Sequence, residues 1–276
     1  MKRMVELDMQ LVMLGTGHAM VTKCFNTCFA LENNDEYFLV DAGGGNGIMT
    51  QLEKAKIPYS GIHQMFVTHG HTDHVLGVIW IIRKIAMLML ENKYMGELTI
   101  YCHDDLVKMI RTFCELTLPQ NLLQLIGNRI FLRAVIDGER SKVIGMEIQF
   151  FDIASTKAKQ FGFHAVLPNG KTLVCLGDEP YNDNIVNKDY VEKCDWMLSE
   201  AYCLFSDKDI FTPYEKHHST ALDAGKLAEE FGVKNLILYH TEDTNLAERK
   251  TRYTKEVKTV FRGEVFVPND LERFQL

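Results

Sequence analysis

No pair of cysteines in this chain stands at C-x-x-C spacing. The seven cysteines, Cys24, Cys28, Cys102, Cys114, Cys175, Cys194 and Cys203, are odd in number and scattered. That usage fits reduced, buried thiols and a cytoplasmic setting rather than a disulfide framework. Long hydrophobic runs are missing too. The longest, Val75 to Leu90, is broken by Arg83-Lys84 and is too short to span a bilayer, so no membrane segment is expected. Met1-Lys2-Arg3 leads straight into a strand pattern, which is unlike a signal peptide. There is no linker, no low-complexity tract and no short-period repeat. Positive charge is scarce: 30 Lys and Arg stand against 37 Asp and Glu, a net charge of −7. Broad Lys/Arg faces, the usual grip on long nucleic acid, are therefore not expected. A small phosphate substrate stays open, since a metal centre brings its own positive charge. The 276 residues, 46% apolar and 24% charged, allow one large domain or two small ones with a real core.

Against this background one stretch is dense with chemistry. His69-Gly70-His71-Thr72-Asp73-His74 packs three histidines and a carboxylate into six residues, H-x-H-x-D-H. The apolar run Met65-Phe66-Val67 precedes it and a long apolar helical pattern from Val75 follows. His69 and His71, two apart, point the same way as the chain leaves a strand, and Asp73 and His74 follow from the start of the helix. Imidazoles and a carboxylate suit zinc, manganese or iron at a site open to substrate. A chance cluster of loop histidines is the plainer alternative, and it rarely takes this order.

The rest of the chain reads as strands and helices with polar residues at strand ends. Met9–Leu14 is a strand pattern closed by the tight turn Gly15-Thr16-Gly17-His18. Thr27–Leu31 and Tyr37–Val40 predict a hairpin ending at Asp41 and three glycines. Ile62–Val67 delivers the histidine stretch, and a helix is expected over Val75–Glu91, apolar almost all round and so buried against several partners. Asp104 or Asp105 is the expected cap of a helix reaching Leu116, and Pro119 opens a shorter one. The helices of about 87–127 read as an insert, either lid, dimer surface or ordinary core. Further strands are expected at Leu98–Cys102, Ile130–Ala134, Lys142–Ile144, Glu147–Phe151, Phe161–Val166, Thr172–Leu176, Trp196–Ser199 and Asn235–Tyr239, with a helix at Ala221–Phe231. Pro168-Asn169-Gly170 makes a hairpin turn. Two strand-rich halves, each with helices and with chemistry at strand ends, fit a four-layer α/β-β/α sandwich over residues 1–276.

On these residues the chain resembles the metallo-β-lactamase superfamily, and within it the RNase Z-like phosphodiesterases. The likeness runs nearly end to end, from Leu14-Gly15-Thr16-Gly17 and Asn26-Thr27 through Asp41 and the His69–His74 stretch. Asp178 in Leu-Gly-Asp, Glu200 in Ser-Glu-Ala, His218 in His-His-Ser-Thr and His240 in Leu-Tyr-His continue it. The resemblance implies two divalent ions, zinc or else manganese, sharing a hydroxide. His69 and His71 would bind one, Asp73, His74 and His240 the other, and Asp178 would bridge them. Asp73 counts with His218 and Glu200 among the catalytic residues, the latter two as a proton-transfer pair. Asp41 would orient a metal-bound imidazole.

The chain departs from the pattern twice. Where a metal-binding histidine is expected, between Phe150-Phe151-Asp152 and Phe161-Gly162-Phe163, it has Ala154. The first metal site should be weakened, the second less so; His164 belongs to a different strand position. The glycine- and proline-rich arm that holds tRNA in RNase Z enzymes is also absent, because one tight hairpin joins Phe163 to Gly177. Small phosphodiesters, above all cyclic nucleotides, become the expected substrates, and the chain resembles in length and layout the arm-less phage anti-Pycsar phosphodiesterases. A tRNA 3′-end endonuclease and a silent nucleotide-binding protein are the competing readings. A homodimer is expected by likeness. Tyr181, Phe205, Tyr214 and His103 are candidates for stacking on a base, or for core and lid packing.

Overall fold

The computed structural model describes residues 9–178 and 188–276. The first half runs β1 (Gln10–Gly15), β2 (Cys28–Asn33), β3 (Glu36–Val40), α1 (Gly47–Ala55), β4 (Ile62–Phe66), α2 (Thr72–Leu90), β5 (Leu98–Cys102), α3 (Asp104–Thr117), α4 (Gln120–Leu123) and β6 (Ile130–Ala134). The second runs β7 (Arg140–Val143), β8 (Met146–Asp152), β9 (Phe161–Val166), β10 (Thr172–Cys175), α5 (Lys188–Val191), β11 (Trp196–Glu200), α6 (Lys208–Phe211), α7 (Ala221–Glu230), β12 (Asn235–Tyr239), α8 (Leu246–Val257), β13 (Glu264–Phe266) and β14 (Arg273–Gln275). The strands form two seven-stranded sheets, β14-β1-β2-β3-β4-β5-β6 and β13-β12-β11-β10-β9-β8-β7.

Each sheet joins an antiparallel part to a parallel part. β3 to β6 are parallel, as are β10 to β13. Parallel neighbours need crossovers, and helices supply them on the outer faces. A shared core lies between the sheets, built on Phe29, Phe38, Phe66, Phe150 and Phe163. α1, α2 and α3 cover the first sheet through Ile48, Val78, Ile82 and Ile110. α7 and α8 cover the second through Ala224, Ala228, Tyr253 and Val257. The result is the expected four-layer sandwich of the metallo-β-lactamase fold.

Some expectations needed correction. The stretch 87–127 has helices on both sides of the expected strand Leu98–Cys102, which is β5 and pairs with both β4 and β6. The cap of α3 is His103, whose side chain accepts from the Leu106 amide, rather than Asp104 or Asp105. α2 is buried on several sides, yet Trp80, Met87 and Leu90 leave an outer face partly exposed. α8 and the edge strands β13 and β14 were not anticipated. Among the described residues no helix is long and apolar enough to cross a membrane.

Candidate metal centre

The parallel strands carry their polar residues at their carboxyl ends, where open α/β sheets place ligands. β4 is anchored by Phe66, which packs on Phe150 at 5.2 Å and edge-on to Phe163 at 5.7 Å. The chain then leaves the sheet at Thr68 with its direction set by Asp41. The Asp41 carboxylate accepts from the Thr68 amide and hydroxyl, each at 2.8 Å, and from His74 Nδ1 at 2.8 Å. Asp41 itself adopts φ 55°, uncommon outside glycine and tolerated best by short polar side chains. Gly77, one turn into α2, lets the helix approach Asp41's loop: a Cβ there would stand 1.8 Å from the Ala42 carbonyl oxygen. Asp73 and His74 in the first turn of α2 are thereby fixed against β3. A carboxylate at that helix start is also favoured by the helix dipole.

The second sheet brings the remaining groups. Asp178 follows β10 through Gly177, whose φ of 71° turns the chain sharply. His240 follows β12 at φ 57°. Side-chain donors then gather into overlapping sets, His69/His71/Asp178, Asp73/His74/His240 and Asp178/His218/His240, with all ligand atoms of a set within 4.8 Å of one another. Asp178 lies 3.5 Å from His69 Nε2, 4.0 Å from His71 Nδ1, 3.8 Å from His74 Nε2 and 3.6 Å from His240 Nε2. Asp73 lies 3.4 Å from His74 Nε2 and 3.3 Å from His240 Nε2.

This donor set fits a divalent cation. His74 donates from Nδ1 to Asp41, and its Nε2, the atom a cation would take on displacing the proton there, is buried without a hydrogen-bond partner. Asp178 Oδ1 is buried and unpartnered as well. Unpartnered polar atoms buried side by side are costly unless a cation meets them. The crowding also governs titration. Burial works against ionised Asp178, yet His69, His240 and His74 around it hold its carboxyl well below the usual range. Burial likewise opposes Asp73, but His74 and His240 keep it ionised. Burial also opposes charge on His74, but Asp73 and Asp41 win and raise its pKa, so a cation binding at Nε2 would have to displace a proton. Burial lowers His240 to about 3 and, with the charge of His69 next in size, His71 to about 4, leaving both imidazoles neutral and able to ligate.

Glu200 ends β11 beside the cluster, and its carboxylate accepts from the Ser219 amide. His218 Nδ1 stands 3.5 Å from Glu200 Oε2, an ion-pair distance rather than a hydrogen bond. Burial raises the Glu200 pKa, offset in part by His218. The His218 ring stacks on Tyr202 at 4.7 Å. Ala154, between β8 and β9, is exposed and has φ 58°; its methyl offers no donor. His164 is not part of any donor set among the described residues and lies on β9 near Arg140.

Three residues in or beside the cavity were not singled out from sequence for roles in it. His18 and Lys216 line the same cavity of about 190 Å3 as His71, Asp73, Asp178, His218 and His240. The His18 ring stacks on Tyr202 at 4.5 Å, and its Nδ1 accepts from the Met20 amide, which puts the ring proton on Nε2. Lys157 reaches Asp178 and His218 from the loop after β8. The only available signal for His18 was its place after a glycine turn at a strand end. Of the stacking candidates, the three described ones do not line this cavity. Phe205 sits under Lys208, Tyr214 donates to Asp223, His103 packs on Phe161, and Tyr181 lies outside the described residues. A larger cavity of about 320 Å3 between α2 and α3 is apolar and holds none of the donor residues.

Comparison with known proteins agrees with this geometry. The family described as "Anti-Pycsar protein Apyc1" matches residues 9–266. A Ribonuclease Z from Bacteroides fragilis (strain YCH46) is 23% identical, covering 95% of this chain and 97% of its own. The metallo-β-lactamase fold protein YhfI from Bacillus subtilis superposes with a TM-score of 0.77 at 21% identity, over 97% of this chain and 99% of its own. Human tRNase Z, short form, superposes with a TM-score of 0.72 at 20% identity, over 96% and 98% of the two chains.

Proposed function

Since the chain belongs to the anti-Pycsar Apyc1 family, in the RNase Z-like branch of the metallo-β-lactamase superfamily, we propose that it is a metal-dependent phosphodiesterase acting on small phosphodiesters, cyclic nucleotides first. The observation that carries the reading is the buried crowd of imidazoles around Asp178, with donor atoms within 4.8 Å. Asp73, His74, Asp178 and His240 would hold one divalent ion. His69, His71 and Asp178 would hold another more weakly, one donor short at Ala154. Bound there, a divalent ion supplies an acidified water and an electrophile for the phosphate oxygens.

The chain's own residues do the rest. Asp41 fixes the tautomer and orientation of His74. The stack on Tyr202 holds the His218 ring, with Glu200 Oε2 3.5 Å from its Nδ1. His218 would deliver the proton to the leaving ribose oxygen, which departs poorly as an alkoxide. His71 and His218 line the cavity from opposite sheets, so substrate enters at the seam between the two halves.

The short turn between β9 and β10 supports a small substrate, since it leaves no arm before Asp178. The relatives named Ribonuclease Z keep tRNA 3′-end cleavage as a second reading, and Ala154 keeps a silent nucleotide-binding protein as a third. The purified chain, loaded with Mn2+ or Zn2+, should be offered bis(p-nitrophenyl) phosphate, a panel of cyclic nucleotides and a precursor tRNA. Turnover of the small esters alone is the expected result. Cleavage of the tRNA would select the second reading, and tight nucleotide binding without turnover the third. His218→Ala should lower kcat by about 10²- to 10⁴-fold with metal content unchanged; loss of metal would make His218 a ligand. A homodimer, with the outer face of α2 as one candidate contact, is tested by light scattering.

A further inference from the structure

The segment that lacks the expected imidazole presents a different cation to the centre. Between β8 and β9 the chain folds back on itself: the Ile153 amide donates to the Gln160 carbonyl at 3.0 Å, and the Ala154 amide to Asp152 Oδ1 at 2.8 Å. The Ser155 hydroxyl accepts from the Lys157 and Ala158 amides, each at 3.3 Å. Thr156 Oγ1 is tied to His217 Nδ1 at 2.8 Å, next to His218. The turn leaves Ala154 at the rim and sends Lys157 inward. Lys157 Nζ stands 3.3 Å from the Asp178 carbonyl oxygen, 3.5 Å from Asp178 Oδ2 and 3.4 Å from His218 Nε2. Its side chain is 13% exposed and that of Asp178 3% exposed.

We propose that the Lys157 ammonium takes the place of a metal ion at the His69/His71/Asp178 set, so that the resting chain holds one divalent ion rather than two. The inference rests on the metal-dependent reading above and concerns how the charge at Asp178 is balanced. An ammonium on the carboxylate that both donor sets share repels a dication brought to the same oxygens, strongly so where water is scarce. The Asp73/His74/His240 set also faces Asp178 Oδ2, at 3.8 Å from His74 and 3.6 Å from His240, but it withstands this conflict better because it has a second carboxylate in Asp73 and a support at Asp41. The His69/His71 set relies on Asp178 for its only carboxylate, Ala154 adds nothing, and Asp41 reaches it only through Thr68, whose hydroxyl lies 2.9 Å from His69 Nδ1. The left-handed backbone at Ala154 is one that histidine adopts more readily than alanine, so a histidine there is conformationally acceptable.

The test reads bound metal. The metal-stripped full chain is titrated calorimetrically with Zn2+ and with Mn2+, and metal content after dialysis is measured by mass spectrometry. One retained equivalent per chain is expected. Lys157→Gln should tighten a second binding event by about tenfold, and Ala154→His combined with it should retain two equivalents. Lys157→Arg, which keeps the charge, should retain one. Two equivalents of comparable affinity in the native chain would overturn the proposal. So would an unchanged second event in a folded Lys157→Gln. If that variant fails to fold, the native stoichiometry and Lys157→Arg decide: a second equivalent retained by either overturns it, and one equivalent in both upholds it. Turnover is read separately. A chain inert to phosphodiesters that still binds one equivalent under Lys157 control would end the phosphodiesterase reading and keep this one; an active chain with two equal ions would do the reverse.

Discussion

The two donor sets around Asp178 share a carboxylate but differ in how they are held. Asp73, His74 and His240 are buried, and each comes from a backbone fixed elsewhere: the first turn of α2 against Gly77 and Ala42, and the end of β12. His74 has a dedicated partner in Asp41 at 2.8 Å. His69 and His71 come from the loop before α2, and the His71 side chain is 42% exposed. His69 Nε2 stands 2.9 Å from His71 Nδ1 rather than from a carboxylate of its own. The difference teaches that a motif written as one unit, H-x-H-x-D-H, can send its donors into two sets that are unequally supported. What decides the support is the second layer of contacts, which the motif does not contain.

The contrast can be broken most forcefully at its stronger side. His74→Ala should abolish retention of the tight ion and lower kcat/KM by about 10³-fold or more, read by metal analysis and steady-state kinetics. Next comes the support. Asp41→Asn keeps the shape of the carboxylate but can no longer fix the His74 tautomer, and should weaken metal affinity by about 10- to 100-fold. At the weaker side His71→Ala should change affinity for the tight ion by less than about tenfold, because that ion does not depend on it; a larger loss would erase the distinction. The smallest effect belongs to the wall facing both sets. Burial, followed by the charge of His218, lowers His18 from 6.5 to about 4. The unfolded chain therefore binds the proton first, so His18 contributes stability that is fully present above pH 6.5 and lost as pH falls toward 4. In the metal-stripped protein, His18→Phe should make the dependence of stability on pH shallower across that window, as measured by denaturant unfolding.

Much of this centre is legible in the amino-acid order, because strand ends announce themselves. Asp41, His69, Asp178, Glu200 and His240 each close an apolar run, and the fold turns those run-ends toward one seam. Other residues give no such sign. Lys157 sits in a polar stretch, Ser155-Thr156-Lys157-Ala158-Lys159, where a lysine reads as solvated surface until the loop is seen to fold back. His18 reads as part of a glycine turn, since its stacking partner Tyr202 is far away in sequence. The α3 cap passed to His103 because a neutral imidazole can accept through Nδ1 as a carboxylate would. α8 is strongly polar and buries only Arg249, Tyr253 and Val257, a stripe at i, i+4 and i+8 too thin to stand out among its charges. β14 has three residues, too few for alternation to register, and its partner β1 lies at the other end of the chain.

That last pairing has a kinetic consequence. Gln10 aligns with Gln275, and just before β14 Asp270 binds the Thr16 hydroxyl at 2.8 Å and the Phe25 amide at 2.6 Å. Arg249 in turn ties Thr16 to Thr241, the neighbour of His240. The loop that positions His18 and the residue beside His240 are thus clamped by segments separated by most of the chain, and contacts of such high sequence separation form late. In a refolding experiment, recovery of metal binding should lag behind recovery of helical and strand signal, with the final closure of β14 on β1 as the step that makes the centre competent.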